Sequence, residues 1–295
     1  MSETHSTPAG ATDQHTVGAV IVLAAGGGTR MKSSRSKLLH EVCGHSMLSY
    51  AVNAATALEP EHLVVVVGHL REQVTAHLHE IAPHTQTAVQ DQPNGTGHAV
   101  QCGLVDLAQV TGEIVVTYGD VPMLSGETLQ ELVVAHRASE DAITVLTAQL
   151  SDPTGYGRIV RDDNGLVAGI VEHKDADEAT RQITEINSGI YVFDADVLRD
   201  GLGRITADNA QGELYLTDVL SIARSDGRRV GAYQIDDFWQ TEGVNDRVQL
   251  ADMNKEMNRR ICRAWMRAGV TILDPERTWI HSSVDLAADV TILPG

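Results

Sequence analysis

Residues Val20 to Lys37 read VIVLAAGGGTRMKSSRSK, and the fold is decided by how this stretch is read. Val20, Ile21, Val22 and Leu23 are consecutive apolar residues, three of them β-branched, which is the pattern of a short buried strand. Ala24 and Ala25 follow, then Gly26, Gly27 and Gly28. Glycines directly after a first strand let the backbone turn tightly and approach a ligand, and N–H groups exposed there can cradle phosphate oxygens. Arg30 and Lys37 stand close behind, with Lys32 and Arg35 between them. Strand, glycine turn and cations together point to a nucleotide phosphate site. A plain glycine-rich turn with solvated cations is the simpler alternative, and Arg30 and Lys37 weigh against it.

Two familiar phosphate loops are excluded by spacing. A P-loop requires a second glycine before Lys-Ser, and Met31 stands there. The dinucleotide fingerprint counted from Gly26 also meets Met31 at its third glycine. What remains, L-A-A-G-x-G-T-R-M followed by Lys37, resembles the signature of sugar-nucleotide nucleotidylyltransferases.

Outward from this loop, the 295 residues suffice for one large domain or one domain plus part of another. The chain is 42% hydrophobic but only 4% aromatic, so its core must be mainly Val, Leu, Ile and Ala, which suits buried parallel strands. A net charge of −18 argues against nucleic acid and anionic membranes as partners, and it requires a locally basic pocket for any anionic substrate. Cys43, Cys102 and Cys262 are scattered, with neither metal spacing nor a disulfide framework, which fits a reducing cytoplasm. No apolar run reaches membrane-spanning length, and no signal peptide is visible.

Residues 1–16 are polar and aperiodic and are expected to be a disordered tail. Beyond them, apolar runs such as Leu63–Val67 and Ile114–Thr117 alternate with helical patterns such as Met47–Leu58 and Leu129–His136, implying βαβ crossovers. Gln90 closes a short strand ahead of the Pro93-Asn94-Gly95 turn, with a helix expected over His98–Leu107. Such a Gln beside Gly95-Thr96 offers hydrogen bonds to a base edge, although, taken alone, a plain strand-to-helix connection is the favoured explanation. Tyr118, Gly119 and Asp120 fall at the carboxyl end of a strand, where ligands bind in open α/β sheets. Asp120 there either holds Mg²⁺ or caps the next element. Arg158–Asp162 and Leu166–Val171 form a hairpin turning at Asn164-Gly165, a region a parallel core does not need and one that can wall a sugar site. Asn245 is either a second metal oxygen or the cap of the helix that follows.

That helix, over about Asp246–Arg267, carries Leu250, Met253, Met257 and Ile261 at helical spacing and is expected to be an arm leaving the domain. Ile280, Leu286 and Ile292 recur at six residues, as do Val284 and Val290, suggesting the start of a β-helix in 269–295 with too few copies to stack. A single β-hairpin is the plainer reading of that tail.

The segments LAAGGGTRM with Lys37, QDQPNGTGHA, YGDVP, GYGR, VEHKDA, EINSGIYVF, LYLTD and EGVN occur in order between Leu23 and Asn245. Together they resemble the amino-terminal domain of bifunctional N-acetylglucosamine-1-phosphate uridyltransferase/glucosamine-1-phosphate acetyltransferases. The resemblance implies an α/β fold, a Rossmann-like, mixed and mainly parallel sheet flanked by helices, occupying 17–245. An arm over 246–268 would follow, then a truncated left-handed β-helix. The implied reaction joins UTP and N-acetylglucosamine 1-phosphate into UDP-N-acetylglucosamine and pyrophosphate, with Mg²⁺ as cofactor, in cytoplasmic cell-wall precursor synthesis. By the same resemblance Leu23, Ala24, Ala25 and Gly26 hold the nucleotide, and Gln90, Gly95 and Thr96 read uracil. Tyr118, Gly119, Gly157, Glu172 and Asn187 contact ribose and sugar. Asp120 and Asn245 ligate Mg²⁺, and Arg30 and Lys37 act on phosphates. Acetyl transfer is not expected of this chain. A homotrimer is implied for the full-length protein and a monomer for the fragment. The rivals are a related enzyme using another sugar or base and an inactive regulatory subunit.

Overall fold

Alternation along the first strand sets the layers. Ala19, Ile21 and Leu23 join one apolar cluster, whereas Val20, Val22 and Ala24 join another. A strand apolar on both faces needs cover on both sides. The computed structural model, which describes residues 16–209 and 211–294, supplies that cover as helices on either face of a nine-stranded sheet. Apart from Thr16, the expected disordered tail lies outside the described residues.

In chain order the strands are β1 (Ala19–Ala24), β2 (His62–Val67), β3 (Gln86–Val89), β4 (Glu113–Tyr118), β5 (Ile143–Gln149), β6 (Gly157–Arg161), β7 (Val167–Val171), β8 (Glu185–Asp194) and β9 (Val230–Ile235). The sheet runs β9-β5-β8-β4-β1-β2-β3, with the β6–β7 hairpin attached to β8. β1 lies parallel to β2 and β4, β2 parallel to β3, and β5 parallel to β9. β8 runs antiparallel to both of its neighbours, β4 and β5, so the sheet is mixed and mainly parallel, as the family resemblance implies.

The helices α1 (Met47–Thr56), α2 (Arg71–Ile81) and α4 (Gly126–Ser139) cover one face, where Leu48, Val52, Leu78 and Leu132 meet Val20, Val22 and Val65. The other face takes α3 (Thr96–Leu104), α6 (Ala195–Arg204) and α7 (Asp218–Ser225), through Val100, Leu198 and Leu220; α5 (Glu178–Arg181) is a single turn beyond the hairpin. α3 begins two residues earlier than its periodicity suggests, so Thr96 and Gly97 belong to its first turn. With so few aromatics, Phe193 matters: it is fully buried and lies 5.3 Å from the Tyr191 ring. Phe193→Ala is expected to cost about 3–5 kcal/mol through lost burial and a residual cavity. Urea unfolding measures this, and a loss below about 1 kcal/mol would mean the core collapses around the gap.

β8 is interrupted by a register shift between Asn187 and Tyr191. Gly189 sits inside it at φ +81, where a Cβ would lie 2.5 Å from the Tyr118 ring. Only glycine satisfies both the backbone and the close approach. The bulge thereby presses the middle of β8 against the carboxyl end of β4.

The last helix, α8 (Arg247–Arg267), does not leave freely. Met253 on its first half packs with Val42, Met47, Met123 and Val244, while Cys262 on its second half packs with Val270, Ile272 and Ile280. Thr271–Ile272 pairs in parallel with Thr291–Ile292. The tail returns to the domain, where the Ser282 N–H donates to the Cys43 carbonyl at 2.9 Å. Six-residue apolar spacing carried no signal for that return contact.

Candidate active site

β1 and β4 end side by side, with Leu23 opposite Tyr118, and two clefts open beyond that edge. The larger, about 340 Å³, is lined by Leu23, Ala24, Ala25, Gly26, Lys37, Gln90, Gly95, Thr96, Tyr118 and Asp120, all of them candidates from the sequence. Pro93 and Glu213, neither of them a site candidate from the sequence, also line it, with Gly27, Leu38 and Ala99. The second cleft, about 260 Å³, holds Arg30, Tyr118, Asp120 and Asn245 together with Thr154, Tyr156, Ser188, Thr241 and Gln249. Tyr118 and Asp120 belong to both, so the clefts meet there.

Lys37 reaches this junction because Gly28, at φ +56, has no side chain: a Cβ there would lie 2.8 Å from the Lys37 Cβ. The Lys37 ammonium donates to Asp120 Oδ2 at 2.5 Å and to Asn245 Oδ1 at 3.2 Å. An ammonium has no acceptor, so the Asn245 amide must present its oxygen. Asn245 does not cap α8, because Asp246 accepts the Val248 and Gln249 N–H groups. The capping alternative is thereby removed, and the Asn245 side chain is turned to Lys37 instead. The backbone carbonyl of Asp120 accepts from the Val244 N–H at 3.0 Å, tying strand end and pre-helical segment into one wall. Arg30 is exposed on the rim and has no ion-pair partner among the described residues.

The donor chemistry fits Mg²⁺. One cation already lies between a carboxylate and an amide oxygen, and both are hard donors. Among the described residues no cluster of three His, Cys, Asp or Glu could enclose a metal. A two-oxygen half-site completed by phosphates and water is the arrangement that Mg²⁺ favours and that a structural metal does not.

Gly119, Gly157, Glu172 and Asn187 line neither of these clefts. Gly119 is packed towards Leu38 and Leu48, and its N–H is used by the Leu23 carbonyl at 3.0 Å. The other three form a cluster beside Tyr118. Gly157 pairs with Asn187, and a Cβ on Gly157 would lie 3.5 Å from Glu172 Oε1. Asn187 Oδ1 accepts from the Tyr191 hydroxyl at 2.8 Å and from the Gly189 N–H at 2.9 Å. Burial, then the charges of Asp120 and Glu172, push the Tyr118 phenol up, so it remains a proton donor. The Tyr156 phenol is likewise raised by burial and by Glu242, to which it hydrogen bonds. Arg158, which ends GYGR and opens the expected hairpin, was not a site candidate from the sequence. Its buried guanidinium joins the Tyr156 carbonyl to His173 Nδ1 and so braces the two segments carrying Gly157 and Glu172.

Glu172 also carries an electrostatic cost. Burial, then the charges of Asp175 and Asp218, raise its carboxyl above the ordinary glutamate value. The folded state therefore holds the proton more tightly than the unfolded chain. Its contribution to stability is fully present below the unfolded pKa and is lost as pH rises through the folded one. Glu172→Gln is expected to match the parent's Tm at acidic pH, where the carboxyl is protonated in both states, and to exceed it once Glu172 ionises in the folded protein, as thermal melts across pH would show. An equal Tm at every pH would mean that Glu172 is solvated.

A glycine loop at a strand end, a cleft lined by Gln90 and the Lys37 ammonium held where two clefts meet are features of a nucleotide-binding α/β protein with room for a second substrate. The chain belongs to the nucleotidyl transferase family, whose model matches residues 19–258. It is 66% identical over 284 residues to the "Bifunctional protein GlmU" of Cutibacterium acnes, covering 94% of this chain and 68% of that protein. Proteins of the same name from Corynebacterium diphtheriae and Streptomyces coelicolor are 55% and 54% identical over 94% of the chain, which spans 58% of each. A crystal structure of UDP-glucose pyrophosphorylase complexed with UDP-glucose superposes with a TM-score of 0.64 at 17% identity, covering 83% of this chain and 99% of that one. At that identity the likeness concerns the fold.

Proposed function

We propose that this chain is an N-acetylglucosamine-1-phosphate uridyltransferase, joining UTP and N-acetylglucosamine 1-phosphate into UDP-N-acetylglucosamine and pyrophosphate. The observation that carries it is the meeting of the two clefts at Tyr118 and Asp120. In this reading residues 17–245 form the catalytic domain, with UTP along the larger cleft and the sugar phosphate approaching from the side of Arg30 and Tyr156. High identity to the GlmU proteins supports the choice of sugar and base. No described helix is long and apolar enough to cross a membrane. The family resemblance supports a cytoplasmic reaction. For the longer protein, the family resemblance supports a homotrimer.

The sugar-phosphate oxygen attacks the α-phosphorus in line, and the bond to pyrophosphate breaks. That oxygen is ionised at neutral pH, so no general base is needed; the barrier is the meeting of anions and the charge growing on the leaving group. Asp120 and Asn245 would hold Mg²⁺, which when bound neutralises charge between the phosphates. The Lys37 ammonium turns from these oxygens to the phosphates as a point charge, and Arg30 offers a planar fork to the leaving pyrophosphate. Gly26 and Gly27 leave open space at the loop for phosphate oxygens.

Pyrophosphate release with UTP, Mg²⁺ and a panel of sugar 1-phosphates tests this. Turnover largely confined to N-acetylglucosamine 1-phosphate and abolished by EDTA is the expected result. Preference for glucose 1-phosphate would overturn the substrate, and no turnover with any sugar would overturn the activity.

A further inference from the structure

Gln90 follows β3 and lines the larger cleft with only 9% of its surface exposed. Its side-chain Nε2 lies 3.0 Å from the Gly95 carbonyl and 3.2 Å from His98 Nδ1. A carbonyl oxygen only accepts, so the amide atom beside Gly95 must be the NH₂, which settles the orientation of the group. The second amide hydrogen is directed at His98 Nδ1. That nitrogen must therefore offer a lone pair, and the ring proton sits on Nε2, 3.7 Å from Cys102 Sγ one turn along α3. Both amide hydrogens of Gln90 are thus used inside the protein, and Oε1 has no hydrogen-bond partner among the described residues.

We infer that His98 is a positioning residue for base selection: its unprotonated Nδ1 locks Gln90 with the carbonyl oxygen towards the cleft, so that the site accepts a base with an N–H on its pairing edge, as in uracil, and rejects one with a lone pair there, as in cytosine. This rests on the reading of the larger cleft as a pyrimidine nucleotide site. The Gln92 carbonyl, 3.2 Å from the same Nδ1, favours the opposite tautomer. With the proton on Nδ1, the ring would donate to Gln92 and face the Gln90 NH₂. The amide would then turn, lose its bond to Gly95 and present a donor to the base. The Gly95 carbonyl holds the balance against this, because Gln90 can satisfy it only in the orientation seen.

The test is the ratio of kcat/KM for UTP over CTP. His98→Ala is expected to lower that ratio about 10-fold, mainly by raising KM for UTP, because the Gly95 carbonyl alone then holds the amide against turning. His98→Asn places an acceptor oxygen where Nδ1 lies and is expected to restore most of the discrimination, which a merely structural role would not produce. A ratio unchanged in His98→Ala overturns the inference, as does His98→Asn failing to differ from His98→Ala. Should the alanine variant not fold, the ¹⁵N resonances of the wild-type ring decide: Nε2–H is expected, and Nδ1–H overturns it. Wild-type enzyme without any preference for UTP over CTP would instead sink the uridine reading itself.

Discussion

Asp120→Ala is expected to lower kcat by at least about 10²–10³-fold while leaving the fold intact. The carboxylate lies at the junction of the clefts and receives the Lys37 ammonium at 2.5 Å. Its removal takes away one of two oxygens able to hold a divalent cation and frees Lys37 to fall onto whichever phosphate arrives first. Excess Mg²⁺ should restore little, because the missing oxygen also aligns the attacking and leaving groups. Asp120→Asn keeps an oxygen but not the charge and should fall between. The backbone role of Asp120, accepting from Val244, survives both substitutions. Steady-state pyrophosphate release with a parallel thermal melt checks the prediction, and near-normal kcat with Asp120→Ala would remove this residue from the chemistry.

Arg30→Ala should produce a comparable fall in kcat, about 10²–10³-fold, with a smaller effect on KM. Arg30 is exposed at the rim of the second cleft and forms no ion pair with any described residue. Losing it costs the resting protein little, so its effect must come from charge that develops during transfer. Arg30→Lys should recover only part of the rate, since a point charge cannot match two phosphate oxygens at once. Raised KM with unchanged kcat would assign Arg30 to ground-state binding instead. The kcat and KM values of the two variants, measured against each substrate in turn, separate these outcomes.

Local residue order carried much of this molecule. Val20–Leu23 read as a buried strand because neighbouring side chains enter opposite layers, and each of those layers is apolar. The candidate set from Leu23 to Thr96 came together because a glycine turn, a strand-end Gln and a strand-end Asp all lie on one sheet edge. Orientation was not legible: INSGIYVF announces a strand, yet nothing in it says that it runs against both neighbours. Nor was Lys37–Asn245, a contact between residues 208 apart, visible except through family likeness. Tyr156, Ser188 and Glu213 were not site candidates, although Tyr156 lies in GYGR and Ser188 in EINSGIYVF, because each reaches the clefts from a loop or bulge whose path is set by tertiary packing. Gly157, Glu172 and Asn187 were anticipated as site residues, and the structure gathers them into a separate cluster behind Tyr118.

The antiparallel strand inside the sheet has a consequence for how the protein is made. Four parallel strands, β3-β2-β1-β4, are complete by Tyr118, and β5 and β9 form the opposite margin. Only β8 joins the two, and its partners lie far away in the chain. Such non-local pairing is slow, because chain entropy is surrendered before contacts repay it. The junction at Tyr118 and Asp120 leans on the bulge of that same strand. Competence to engage both substrates therefore arises with the closing of the whole sheet and vanishes with it, and a bound ligand tightens every strand at once through mass action.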